Sequence, residues 1–296
     1  MEDTPDIKTY LSEQKKEIDT FLEVCVRDAD CLHGAIYEAV SYSLFAGGKR
    51  VRPILSLAAS EFIHGSRQAA LAGGCAVEMV HTYSLVHDDL PCMDDDDMRR
   101  GKPSSHKKFG EATAVLAGDA LQAMAFQLIP EHVTSPQMAA DMVRELAAAA
   151  GPEGMVGGQV LDVVFEKEPC TLEDLHTLHA MKTGALITAS VRIGILSGSC
   201  SEEEEEKITA FSRTLGLLFQ VVDDILDRTG DADKLGKAAG RDSALNKTTF
   251  PSLMGLNEAC TYRDSLMNKA LGFLEPFDAE ADLLRTLCTF IATRDY

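Results

Sequence analysis

Apolar residues recur at three- to four-residue intervals along nearly the whole chain. That spacing puts them on one face of an α-helix, whereas a half-buried strand would alternate them every second residue. It predicts helices over residues 6–27, 35–46, 53–64, 69–87, 111–129, 137–150, 183–198, 202–227, 252–275 and 279–293. The breaks have their own chemistry. Gly47-Gly48 stops the second helix, and Pro53 can open the third because its fixed φ suits a first helical turn. Gly65 and Pro130 read as stops. Thr171 with Asp174 has the spacing of a capping box that opens a helix towards residue 180. No run alternates for a useful strand length, and the connections are short. The pattern therefore predicts one all-α domain over residues 1–296. Only 228–250, polar and bearing Gly and Lys, departs from it and is a candidate mobile lid.

With 296 residues, 45% of them hydrophobic, the chain can bury a sizeable core. The net charge of −19 excludes a general nucleic-acid or anionic-membrane surface, since both require a basic face. The eight cysteines form no CxxC pair and no zinc spacing, so reduced thiols are expected. The start of the chain lacks the basic-then-apolar pattern of a signal peptide. No stretch reads as the roughly 20 apolar residues of a membrane span. A soluble, cytoplasmic protein is expected.

Two aspartate clusters change the picture: Asp88, Asp89 and Asp94, then Asp223, Asp224 and Asp227. Each ends an apolar helical run, and each is followed by basic residues. Carboxylates this close repel unless something cationic neutralises them. Carboxylate oxygens suit Mg²⁺, which takes one or two of them and fills its other positions with water and substrate phosphate. Asp223 and Asp227 are four apart, hence on one helix face. Asp88 and Asp94 would point apart on an unbroken helix, but Pro91 breaks it, so a loop can bring Asp94 back. Lys49, Arg50 and Arg52 follow the Gly47-Gly48 break, and Arg99-Arg100 follow the first cluster. These are phosphate-binding residue types. The acidic run 202–206 differs: Ser201 can cap that helix, so the run reads as a solvated face. Glu61-x-x-His64 and Glu173-x-x-His176 match the ligand spacing of di-iron bundles, but both fall near helix ends, not on a buried face.

From about Ala46 onward the chain resembles the trans-isoprenyl diphosphate synthases. The shared motifs are GGKRVRP (47–53), HTYSLVHDDLPCMDDDDMRRGKP (81–103), LAGDAL (116–121), GGQVLD (157–162), KTGAL (182–186), FQVVDDILD (219–227), GK (236–237) and KTTFP (247–251). Tyr83-Ser84 before the first aspartates, and the MDDDD run, look closest to the bacterial farnesyl diphosphate synthases.

The resemblance implies a helical bundle around a deep central cavity, and a homodimer. It implies three Mg²⁺ ions held by Asp88, Asp89, Asp94, Asp223, Asp224 and Asp227, with Asp88, Asp94 and Asp223 the most direct ligands. Arg99, Lys182, Lys237 and Lys247 would grip an allylic diphosphate. Lys49, Arg52, His81 and Arg100 would bind isopentenyl diphosphate, and Thr183 and Gln220 would line the reacting carbons. The implied reaction is head-to-tail condensation of isopentenyl diphosphate with dimethylallyl or geranyl diphosphate, giving farnesyl diphosphate.

The growing tail would run down the helix that carries Asp88. Tyr83 sits five residues earlier, about 7.5 Å lower at 1.5 Å per residue. With small Ser84 beside it, Tyr83 is the candidate floor for a fifteen-carbon product. Twenty-carbon (geranylgeranyl) and ten-carbon products are the alternatives. A class I terpene cyclase shares the bundle but needs no second diphosphate site, so Lys49, Arg52 and Arg100 argue against it. A non-catalytic synthase subunit would be expected to lose an aspartate motif, and both are intact here.

Overall fold

The computed structural model describes residues 6–26, 34–229 and 247–294. These form α1 (Ile7–Cys25), α2 (Gly34–Leu44), α3 (Val51–Phe62), α4 (Arg67–Asp88), α5 (Ser105–Phe109), α6 (Glu111–His132), α7 (Pro136–Ala150), α8 (Met155–Phe165) and α9 (Leu172–His179). A π turn over Ala180–Gly184 leads into α10 (Ala185–Leu196). Then come α11 (Glu202–Thr229), α12 (Phe250–Met254), α13 (Leu256–Leu274), a 3₁₀ turn over Ala279–Ala281 and α14 (Asp282–Thr293). The only strands among the described residues are β1 (Met98–Arg99) and β2 (Lys102–Pro103), a two-residue antiparallel pair. The fold is thus all-α, as the periodicity predicts.

Helix α4 is the central rod, buried along most of its length. It packs on α6, α3 and α10, and α11 packs on α13. Small residues let these backbones approach. A methyl group on Gly73 would lie 2.4 Å from the Ile193 side chain, and one on Gly194 would lie 2.3 Å from the Ser56 carbonyl oxygen. Both are below any real contact distance, so α3, α4 and α10 meet only because glycine stands there.

The ends of elements follow capping chemistry. Thr171 Oγ1 accepts from Asp174 N while the Asp174 carboxylate accepts from Thr171 N, the reciprocal arrangement its spacing predicts. Ser201 and Glu204 do the same at the start of α11, so the 202–206 run begins as a capped, solvated helix end.

Several expectations need correction. Pro130 lies inside α6, which runs on to His132. Only one amide bond is lost that close to the end, and Val133 N still reaches the Ile129 carbonyl at 2.9 Å. His64, not Gly65, takes the left-handed conformation after α3, at φ 52°. Gly255, at φ 86°, splits the run 252–275 into α12 and α13. Helix α8 escapes the periodicity reading because Gly157-Gly158 weakens it. Of the candidate lid, residues 230–246 lie outside the described residues. Helix α6 has 22 residues, with an 18-residue window of mean hydropathy 1.3, so it is long and apolar enough to cross a membrane by length and composition, contrary to the reading above. In the fold Ala114, Ala117, Leu121, Ala125 and Leu128 of this helix are buried, and it packs on α4 and α2.

Arg50 anchors the start of α3. It is 2% exposed and adopts φ 53°. Its guanidinium donates to Asp19 at 2.8 Å, to buried Glu78 at 3.0 Å and to the Leu44 carbonyl at 2.7 Å, tying α1, α2, α3 and α4 together. Removing one partner of a buried pair strands the other charge, at about 3–5 kcal/mol. Arg50→Met is therefore expected to lose that much stability in urea denaturation. Arg50→Met with Glu78→Leu is expected to recover most of it.

Candidate active site

The first aspartate cluster sits where α4 runs out. Asp88 is its last residue and Asp89 its C-cap. Beyond Pro91 the chain doubles back, and Asp94 N donates to the Asp88 carbonyl at 2.9 Å. Asp88 and Asp94 thereby line one cavity, as the proline break predicts. Across it, α11 presents Asp223 and Asp227, one turn apart on one face. The cavity measures about 750 Å³, and Lys49, Arg52, His81, Arg99, Lys182, Thr183, Gln220 and Lys247 also line it. Residues from distant parts of the sequence thus converge on a single space.

The π turn at Ala180–Gly184 carries Lys182 and Thr183. Such wide turns occur mostly as single bulges inside α-helices, frequently at functional sites. Here two helices press against it at glycines. A methyl on Gly158 of α8 would lie 2.2 Å from Lys182 N, and one on Gly216 of α11 would lie 2.8 Å from Gly184 Cα. This explains the glycine of GGQVLD, whose packing role the sequence did not reveal.

The electrostatics are those of an anion site with crowded carboxylates. Burial pushes the Asp88 carboxyl up to about 6; neighbouring Lys182 opposes the rise and Asp94 adds to it. Asp162 of α8, not singled out from the sequence, accepts from Lys182 Nζ at 2.6 Å and from Lys247 Nζ at 3.3 Å. Burial opposes its ionisation, but the two lysines hold its carboxyl below the usual range. Lys247 Nζ also lies 3.5 Å from Asp94. Burial, together with the guanidiniums of Arg52 and Arg100, pushes His81 well below the usual histidine range, so it is neutral at pH 7. Arg52 Nε is buried with no hydrogen-bond partner among the described residues, a donor available to a ligand.

Some predicted residues are placed differently from expectation. Asp89 is 2% exposed and accepts a two-pronged contact from Arg99, which also reaches Asp96 at 3.2 Å. Asp224 is 3% exposed, and both of its oxygens are bonded within the protein. Both middle aspartates are thus engaged by the protein; Asp89 stays out of the cavity lining, whereas Asp224 borders the cavity beside Asp223 and Asp227. Arg100 donates to the Gly47 carbonyl and lines a separate small pocket with Tyr42 and Pro103. It packs against the glycine pair instead of entering the main cavity. Lys237 lies outside the described residues. Tyr83 and Ser84 line the cavity, with the Tyr83 ring buried and edge-on to His87 at 5.7 Å. Arg294, also missed, donates to Asp223 at 2.6 Å and stacks 4.0 Å over Phe219. Of the di-iron candidates, Glu61 pairs with Arg67 at 2.7 Å, and His176 packs edge-on to Phe250 and Tyr262.

An all-α bundle with two aspartate walls and basic residues around one cavity defines a class of enzyme that handles diphosphates with divalent metal. The polyprenyl synthetase family model matches residues 33–287, and the chain belongs to that family. It is a prenyltransferase. It is 44% identical over 296 residues to the farnesyl diphosphate synthase of Bacillus subtilis (strain 168), covering 99% of this chain and 100% of that one. It is 46% identical over 294 residues to a chloroplastic geranylgeranyl pyrophosphate synthase of Capsicum annuum, covering 97% of this chain and 79% of the relative. The crystal structure of the Helicobacter pylori geranyltransferase, complexed with magnesium and isoprenyl diphosphate, superposes with a TM-score of 0.84. That pair is 34% identical, covering 96% of this chain and 95% of the other.

The raised Asp88 carboxyl has a consequence for the metal-free protein. Its folded-state value lies above its unfolded value, so the folded state keeps a proton that the unfolded chain releases. This group therefore costs stability as pH rises through about 4 to 6. Without metal, Asp88→Asn is expected to raise the thermal midpoint at pH 7.5 and to change it little at pH 4. A lower midpoint at pH 7.5 would contradict the assigned electrostatics.

Proposed function

We propose that the chain condenses isopentenyl diphosphate with an allylic diphosphate, releasing farnesyl diphosphate and inorganic diphosphate. The observation that carries this reading is the convergence of both aspartate walls and two groups of cations on one cavity. Asp88, Asp94, Asp223 and Asp227 are an all-oxygen donor set suited to Mg²⁺, and three ions are proposed. When bound, Mg²⁺ supplies Lewis-acid stabilisation of the departing diphosphate.

The chain's own residues do the rest. Lys182 and Lys247 hold the allylic diphosphate as its C1–O bond breaks and the electron pair leaves with oxygen. Arg99 stands behind them, neutralising Asp89. Lys49, Arg52 and neutral His81 hold the diphosphate of isopentenyl diphosphate, so its alkene faces the allylic C1. The Gln220 amide oxygen and the Thr183 hydroxyl place partial negative charge beside the developing cation. The alkene π electrons form the new C–C bond, and a proton is then lost to the released diphosphate. Tyr83, which lines the cavity, acts as its floor in this reading and limits the product to fifteen carbons.

The twenty-carbon alternative is supported by the similarity to the Capsicum annuum enzyme and by small Ser84 beside Tyr83. The chain is also proposed to act as a homodimer, since α6 exposes Val115 and Leu116 on one side.

Feeding labelled isopentenyl diphosphate with geranyl diphosphate and Mg²⁺ is expected to give a fifteen-carbon product by chromatography. Twenty carbons from the wild-type chain would establish the alternative. Tyr83→Ala is expected to lengthen the product, and an unchanged chain length would refute its role as floor.

A further inference from the structure

We propose that Asp224 is a positioning residue: it fixes the orientation of the Gln220 amide and anchors the Lys247–Phe250 segment, and it is not a metal ligand. The proposal rests on the reaction above and concerns how its polar wall is built.

Asp224 sits one residue beyond Asp223 on α11, rotated by roughly 100° around the helix. That rotation turns it away from Asp223, although it still borders the cavity. Its Oδ1 accepts from Gln220 Nε2 at 2.9 Å, one turn earlier. Its Oδ2 accepts from Phe250 N at 3.0 Å and lies 3.6 Å from His179 Nε2. Both oxygens are therefore committed to the protein.

The two ends of a glutamine amide are nearly the same size, and only their partners decide which end points where. An ionised carboxylate can only accept hydrogen bonds. It therefore holds the Gln220 NH₂ group towards itself and turns the amide oxygen away. That oxygen accepts from Thr183 Oγ1 at 2.9 Å. The chain runs from Thr183 through Gln220 to Asp224, with every donor assigned by the acceptor at its end. Reversing the amide would put an NH₂ dipole where positive charge develops.

The same carboxylate fixes the approach of Lys247. Phe250 is fully buried, its ring 5.5 Å from His179 and 5.6 Å from Tyr262. Lys247 lies three residues upstream and reaches Asp162 and Asp94. Asp224 thus anchors to α11 the segment that delivers this lysine.

The test is a Mg²⁺ titration and product analysis of Asp224→Asn beside Asp223→Asn, with geranyl and isopentenyl diphosphates. Asparagine keeps the size but adds an NH₂ group, so it tolerates the reversed amide. Asp224→Asn is expected to lower kcat by about 10²–10³, the usual effect of losing one oriented dipole, with half-saturating Mg²⁺ changed less than twofold. It is also expected to raise the fraction of allylic alcohol, formed when water adds to the ionised C1 and releases a proton. Gln220→Met, which leaves Asp224 in place, is expected to give the same loss. The double variant Asp224→Asn/Gln220→Met should be no slower than either single variant.

A tenfold or greater rise in the Mg²⁺ requirement, matching Asp223→Asn and with kcat recovered at high Mg²⁺, would make Asp224 a ligand and overturn the proposal. Losses that multiply in the double variant would overturn it as well. Calorimetric Mg²⁺ binding with an unreactive diphosphate analogue separates ligand from positioning residue without turnover. Inactivity of the wild-type chain would count against the assigned reaction, not against this role.

Discussion

Like-charge repulsion across a single cavity is the constraint on which the site depends. Asp88, Asp94, Asp223 and Asp227 face a common space. The fold answers with cations from elsewhere in the sequence: Lys182 in the π turn, Lys247 before α12, Arg294 just after α14. Asp162 completes the arrangement by holding two of those lysines in reserve. In the proposed reaction, an entering diphosphate would take over the lysine bonds that Asp162 now accepts. This is how a chain of net charge −19 can receive an anionic substrate.

The two aspartate motifs share one internal design. In each, the flanking residues line the cavity while the middle one, Asp89 or Asp224, is almost fully buried and engaged by neighbours. Asp89 binds the guanidinium of Arg99, and Asp224 binds an amide side chain and a backbone N–H. The repeated acidic residue thus has two jobs that composition cannot separate. Some carboxylates present charge to a ligand, and others stiffen the helix end that presents it.

Much of this was legible in the sequence because it rests on local rules. The helices follow from apolar spacing, the return of Asp94 from Pro91, and the one-face pairing of Asp223 and Asp227 from a four-residue interval. What escaped depends on contacts between distant residues. Asp162 gains its meaning from lysines 20 and 85 positions away. Arg50 sits between two cavity-lining cations, yet it points into the core towards Asp19 and Glu78. Arg100 follows Arg99 but turns to the Gly47 carbonyl, because its left-handed backbone redirects it. Helix α8 was hidden by glycines that are needed for close packing.

The wide turn between α9 and α10 amounts to a length of chain, not a choice of side chain. It brings the adjacent residues Lys182 and Thr183 onto the same cavity wall. No substitution can adjust that offset; only an insertion or deletion can. Removing one residue there would spin α10 by about 100°, and Gly194 would leave the niche it occupies against Ser56. Reactive surface and hydrophobic interior are therefore geared together at this point, and neither can drift without dragging the other.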